Sequence, residues 1–160
     1  MKLRVLVVDD DEDICLYLRE FLTREGFKVT TVSKPADALL EVRQGRHQLV
    51  LLDVRLPGVD GVDLLRQLRA IDSDICVIVM TGYPSVQTAV DSMKAAAFDY
   101  LQKPFDLQEL RAVMERAIRE KGLIVDAEER VNQLLGARIR SLRKLATALG
   151  VSLAELFDGV

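Results

Sequence analysis

Leu49-Val50-Leu51-Leu52-Asp53 is the stretch that decides the fold. Its apolar residues run without alternation, as in a strand buried on both faces, and the run stops at a carboxylate. Four further short apolar runs accompany it, at Leu3–Val8, Val29–Val32, Ile75–Met80 and Phe98–Leu101. Between the runs lie stripes of helical period. Ile14, Leu18, Phe21 and Leu22 share one face, and Ala38, Leu39 and Val42 share a second. Val62, Leu65 and Leu68 form a third stripe, Ala89, Val90 and Met93 a fourth, and Leu107, Leu110, Met114 and Ile118 a fifth. Strand and helix therefore alternate five times, which predicts right-handed crossovers and an α/β, doubly wound, five-stranded parallel sheet with helices on both faces.

Composition agrees with that reading. The chain has 160 residues, 49% of them hydrophobic, enough for a core and too apolar for global disorder. Its net charge of −3 does not advertise general affinity for nucleic acid. Cys15 and Cys76 lie far apart and make neither metal-ligand spacing nor a disulfide framework, so two reduced, buried thiols are expected. His47, in the polar stretch Gly45-Arg46-His47-Gln48, reads as a surface loop residue, and a single histidine builds no histidine triad or His-rich metal site. The N-terminus lacks the pattern of a signal peptide, and no apolar run approaches the ~20 residues that span a bilayer. A cytoplasmic protein with no membrane association is expected.

In a doubly wound sheet the functional site lies beyond the carboxyl ends of the strands. Here those ends carry Asp9-Asp10, Asp53, Met80-Thr81-Gly82 and Lys103-Pro104. Taken singly, an Asp at a strand end is a turn former or helix cap, Thr-Gly is a turn, and Lys-Pro is common in loops. Together they bring three carboxylates, a hydroxyl and an ammonium to one edge. Clustered carboxylates call for a cation, and an all-oxygen acidic set suits Mg²⁺. A carboxylate is also a competent nucleophile toward phosphorus, and the phosphoryl charge needs partners of the kind Lys103 and Thr81 supply. The edge reads as a Mg²⁺-assisted site at which an aspartate accepts a phosphoryl group.

Residues 1–121 resemble the receiver domain of two-component response regulators, a flavodoxin-like fold. The motifs that carry the resemblance are Val7-Val8-Asp9-Asp10, Leu51-Leu52-Asp53-Val54-Arg55-Leu56-Pro57-Gly58, Val79-Met80-Thr81-Gly82 and Asp99-Tyr100-Leu101-Gln102-Lys103-Pro104-Phe105. Thr81-Gly82-Tyr83 and the Tyr100–Phe105 segment are closest to nitrogen-regulator-type receivers. The resemblance implies that Asp53 accepts phosphate from the phosphohistidine of a cognate sensor histidine kinase. It implies Mg²⁺ ligands in Asp10, Asp53 and the backbone carbonyl of Arg55, with Asp9 assisting. It implies that Thr81 moves toward the phosphoryl group, that Lys103 pairs with it, and that Tyr100 swings inward as the switch. The bond between Lys103 and Pro104 is expected to be cis. The face made by the fourth helix, fifth strand and fifth helix is then the docking and homodimer surface, with transcription as the output. Val113 stands where one dimer-forming subfamily places an Arg, so that subfamily's salt-bridged arrangement is not implied. Arg55 and Tyr83 are large residues flanking the acceptor and would hinder attacking water.

Two rivals stand beside this reading. One is a stand-alone phosphorelay or docking protein whose tail only dimerises. The other is a Mg²⁺-dependent aspartyl-phosphate phosphohydrolase, but such enzymes carry an acid two positions after the nucleophile, where this chain has Arg55. A non-enzyme, at most self-catalysing phosphotransfer and its own dephosphorylation at Asp53, is expected.

Residues 122–135 read as a helical linker. From Arg130 to Thr147 there are five basic residues and no acid, which suits a solvated face at least as well as a nucleic-acid patch. Residues 136–160 resemble part of a repressor-type helix-turn-helix domain. In the preferred alignment, Leu135–Arg140 and Leu145–Phe157 match its first helix and its last two, and the central DNA-reading helices are missing. A final helix with Glu155 and Asp158 repels phosphates, so only weak, non-selective binding to duplex DNA is expected, with the tail contributing to a dimer.

Overall fold

The computed structural model describes residues 2–45, 47–82, 85–123, 147, 148 and 150. The residues read above as linker and helix-turn-helix tail lie outside them or nearly so, as does Tyr83. In chain order the elements are β1 (Arg4–Val8), α1 (Glu12–Arg24), β2 (Lys28–Val32), α2 (Pro35–Arg43), β3 (Leu49–Asp53), α3 (Gly61–Ile71), β4 (Cys76–Thr81), α4 (Val86–Lys94), β5 (Asp99–Gln102) and α5 (Leu107–Lys121). All strand pairs are parallel, in the order β2-β1-β3-β4-β5. The alternation read from the sequence is the architecture observed.

Because side chains alternate along a strand, the central strands feed two cores. Val50 and Leu52 of β3 join Leu64, Leu65 and Leu68 on one face, while Leu49 and Leu51 join Leu18, Leu22, Leu110 and Met114 on the other. Burial on both faces explains why β3 shows no polar alternation: all its residues are buried. At ~25 cal/mol per Å² of apolar surface, each fully buried Leu is worth roughly 2 kcal/mol. Helix starts are set by short polar caps. The Asp11 carboxylate accepts from the backbone of Asp13 and Ile14 at 3.0 and 3.2 Å, and Asp106 accepts from Gln108 at 2.8 Å. At the start of α3, a methyl group on Gly61 would overlap the Val54 backbone, so only glycine lets that helix begin so close to the end of β3.

Three expectations are corrected. The apolar stripe on α4 does not face the core: Val90 and Met93, with Val86, are exposed, and Ser92 is the helix's buried residue. Periodicity marks an apolar face without saying what covers it; on α4 the small Ser92 is buried and Ala89 half-buried. His47 is buried rather than on the surface, its Nε2 3.8 Å from Glu41 Oε2. The neighbouring Gln48 is drawn in because its amide oxygen accepts from the Arg4 backbone N–H at 2.7 Å and its carbonyl from Cys76 at 3.1 Å. Burial lowers the His47 pKa, and Glu41 partly offsets this. Cys76 is buried as expected, its thiol pushed up to about 11 by desolvation, whereas Cys15 is only half-buried.

Candidate functional site

Strand register assembles the site. Val8 pairs with Leu52, Asp53 with Met80, and Thr81 with Gln102. The residues that end these strands, or follow directly, are Asp9, Asp53, Thr81 and Lys103, and they form one row across the carboxyl edge. The Lys103 N–H donates to the Thr81 carbonyl at 2.7 Å, and the Lys103–Pro104 peptide is cis, as the resemblance implied.

Lys103 ties the row together. Its Nζ donates to Asp9 Oδ2 at 2.5 Å and to Asp53 Oδ2 at 3.1 Å. The second oxygens are also engaged, Asp9 Oδ1 by the Asp11 N–H and Asp53 Oδ1 by the Arg55 N–H, both at 2.9 Å. Asp9 is fully buried and Asp53 nearly so. Burial raises the Asp9 pKa above the ordinary carboxylate value, against the pull of Lys103 and the Asp11 N–H. Burial alone would lower the Lys103 pKa, but the two carboxylates outweigh it and hold the ammonium protonated. An ammonium locked between two carboxylates is a fixed positive charge in a site of low water content, where such a charge acts strongly on anions.

Asp10 completes the set from the open side. It is exposed, and ligand oxygens of Asp9, Asp10 and Asp53 lie within 4.8 Å of one another. Three carboxylates at that separation, one facing solvent, fit a hard divalent cation that keeps part of its water shell. Beside them Thr81 is buried, and Gly82 is exposed. A Cβ on Gly82 would meet nothing nearer than the Lys103 Cβ at 4.0 Å, apart from its own chain neighbours. A cavity of about 480 Å³, walled by Ile14, Tyr17, Leu18, Pro104 and Phe105, opens beside Lys103. Tyr100 is half-buried and packs against the core of α3. Its hydroxyl is buried without a hydrogen bond of normal geometry; burial raises the phenol pKa, and the Ser85 backbone and the Arg55 charge offset part of this.

A model of the response regulator receiver domain matches residues 5–115. The chain belongs to the response regulator receiver family. It is 41% identical over 124 residues to the transcriptional regulatory protein ZraR of Escherichia coli O157:H7, covering 78% of this chain. It spans only 28% of that relative's length. Among solved structures, a CheY-like response regulator receiver domain protein from Methanospirillum hungatei JF-1 superposes with a TM-score of 0.74 at 28% identity, over 76% of this chain and 98% of that one. The beryllofluoride-activated NtrC4 receiver domain dimer gives 0.70 at 35% identity, over 74% and 98%. The NtrC4 receiver is among the structures this chain is similar to, in line with its nitrogen-regulator-type motifs.

Asp9, Asp10, Asp53, Thr81 and Lys103 stand at one carboxyl edge, whereas Tyr100 lies within β5, paired with Val79. Several neighbours were not legible in the sequence. The Cys15 thiol donates to the Asp9 carbonyl at 3.3 Å, tying α1 to the acidic strand end, and nothing in a lone cysteine signals this. Asp11, third in the acidic run, caps α1 rather than joining the ligand set, a role its place before a helical stripe could have disclosed. No helix among the described residues is long and apolar enough to cross a membrane.

Proposed function

We propose that this receiver takes a phosphoryl group on Asp53 from the phosphohistidine of a sensor histidine kinase and uses it to switch an output surface. The observation that carries the reading is Lys103, held between Asp9 and Asp53 at 2.5 and 3.1 Å beside the exposed Asp10. An Asp53 oxygen attacks phosphorus, the P–N bond breaks, and the leaving imidazole regains its electron pair and takes up a proton. Mg²⁺, when bound, neutralises phosphoryl oxygens. Asp9, Asp10, Asp53 and the carbonyl of Arg55 would hold it. Lys103 gives up its bond to Asp53 for one to the phosphoryl group, and the Thr81 hydroxyl takes another phosphoryl oxygen. Removing Thr81 from its resting position opens room for Tyr100, whose buried hydroxyl lies near the Ser85 backbone at the start of α4.

The apolar cavity beside Lys103 suits the helical surface that presents the donor histidine. Because position 55 is Arg, no carboxylate follows Asp53 to activate water, which favours a phosphoryl store over a turnover enzyme. The exposed Val86, Val90 and Met93 of α4 supply an apolar surface for a second copy or an output partner. In this proposal residues 1–121 are a cytoplasmic receiver, 122–135 a linker and 136–160 a dimerising tail that binds duplex DNA weakly, and the output is transcriptional. The test is incubation with acetyl phosphate and Mg²⁺. One phosphoryl group should add to the wild type and none to Asp53→Asn or after chelation of the metal. Equal labelling of Asp53→Asn would overturn the assignment.

A further inference from the structure

The net charge of −3 hides a division of charge between the two ends of the receiver. Every strand pair is parallel, so the helices that return between them end at the edge where the strands begin. That amino edge lies opposite Asp9, Asp10 and Asp53. The last turns of α1, α2, α3 and α5 bring Arg24, Arg43, Arg69 and Lys121 to it. Cations at helix C-termini offset the helix dipole, which accounts for these one by one. It does not account for Arg4 and Lys28, which start β1 and β2 and stand side by side in register. The charge also gathers from both faces of the sheet, since Arg69 of α3 and Lys121 of α5 both act on the Cys76 thiol at the start of β4. Arg69 is held by the Ile75 carbonyl at 2.7 Å. Arg24, Lys28, Arg43 and Lys121 are exposed and make no ion pair or side-chain hydrogen bond among the described residues. Most acids nearby are engaged. Glu25 pairs with Arg111, Asp99 with Arg116, Glu41 faces His47, and Asp72 accepts from the Asp74 N–H. Asp74 and Glu120 remain exposed beside the four free cations.

We propose that this amino edge is a surface for the phosphate backbone of duplex DNA, with Arg24, Lys28, Arg43 and Lys121 as its contacts. The choice of DNA among polyanions rests on the transcriptional output proposed above. Unpaired, exposed cations are the groups that displace condensed counterions from a duplex. From Lys28 on β2 to the start of β4 is three strand spacings, roughly 14 Å at about 4.8 Å each, close to the ~12 Å that separates the phosphate rows flanking a major groove. The chain continues from Lys121 into a sequence with five basic residues and no acid between Arg130 and Thr147. Point charges on flexible stems position a duplex without reading its bases, so binding here is blind to sequence. Asp53 stands at the far end of the sheet, so the acceptor stays open while DNA is held.

The test is fluorescence anisotropy of the full chain with two unrelated duplexes of about 20 bp, from about 50 to 200 mM NaCl. The wild type should bind both duplexes equally, with affinity falling steeply as salt rises. Arg24→Gln/Lys28→Gln/Lys121→Gln should bind at least tenfold more weakly at ~50 mM salt and flatten the log–log salt slope by about 2–3, near 0.9 for each lost phosphate contact. Arg19→Gln/Lys34→Gln/Arg66→Gln removes the same charge away from the amino edge and should stay within about twofold of the wild type. Both sets change exposed side chains only and should keep the wild-type circular dichroism. Equal weakening by the two sets overturns the proposal, because the effect is then one of net charge. An unchanged slope in the first set also overturns it and leaves DNA to the tail alone. If the wild type binds no duplex at low salt, the DNA reading of the output falls together with this surface. Oligomers that the first set dissolves would then assign the edge to the acidic end of a second copy.

Discussion

Helices α4 and α5 both lie beside β5, and they are attached to the molecule in opposite ways. α5 buries Leu110, Val113, Met114 and Ala117 in the core it shares with α1. It is also pinned by charge, Arg111 to Glu25 and Arg116 to Asp99, with Arg111 over the Phe21 ring and Arg116 over Phe98. α4 buries only Ser92, whose hydroxyl has no partner, and turns Val86, Val90 and Met93 outward. Two residues past its last turn stands Ala96, a non-glycine residue in the left-handed region at φ 67°. One helix is a structural wall. The other is lightly held and carries an apolar face that the fold itself does not use, which is what a movable output element requires.

The sharpest way to break this contrast is to truncate both helices. Leu110→Ala should cost about 3 kcal/mol in denaturant unfolding, since it empties a fully buried site. A loss under about 1 kcal/mol would mean that α5 is not the wall. Next in size is Ala96→Gly. Relief of the left-handed strain, set against the added freedom of glycine in the unfolded chain, should give a net gain of about 0.5–1 kcal/mol. A loss of stability would show that the α4–β5 connection is not strained. Ser92→Ala removes a buried, unpaired hydroxyl and should be neutral or stabilising by up to about 1 kcal/mol. A clear destabilisation would reveal a hydrogen bond that holds α4 more firmly. The smallest effect belongs to Met93→Ala, which should stay within about 0.5 kcal/mol for the monomer, as exposed positions do. A cost comparable to that of Leu110→Ala would place the α4 face inside a contact with another chain.

The same contrast shows what a sequence discloses. The strands were legible because residues buried on both faces leave uninterrupted apolar runs, and the charged carboxyl edge was legible because Asp9, Asp53, Thr81 and Lys103 end those runs or follow them directly. The α5 stripe was read correctly, but the α4 stripe has the same period and faces the other way. Hydrophobic spacing records that a face is apolar; whether the fold or a partner covers it depends on how closely the helix approaches the sheet. His47 was misread for a related reason, since its polar neighbours hide the pairing of Gln48 with Arg4 that draws it inside. The crevice that Arg55, Arg66 and Asp91 line needs α3 and α4 side by side, an approach that no local pattern encodes.

The central claim is that Asp53, and no other carboxylate of the acidic edge, receives the phosphoryl group. The most direct measurement is to load the protein with acetyl phosphate and Mg²⁺, reduce the acyl phosphate with borohydride, and sequence the labelled peptide by tandem mass spectrometry. The reduced side chain should appear at position 53 alone, and Lys103→Ala should lower its yield. Reduction at Asp9 or Asp10, or labelling with no reduced carboxyl at position 53, would contradict the account.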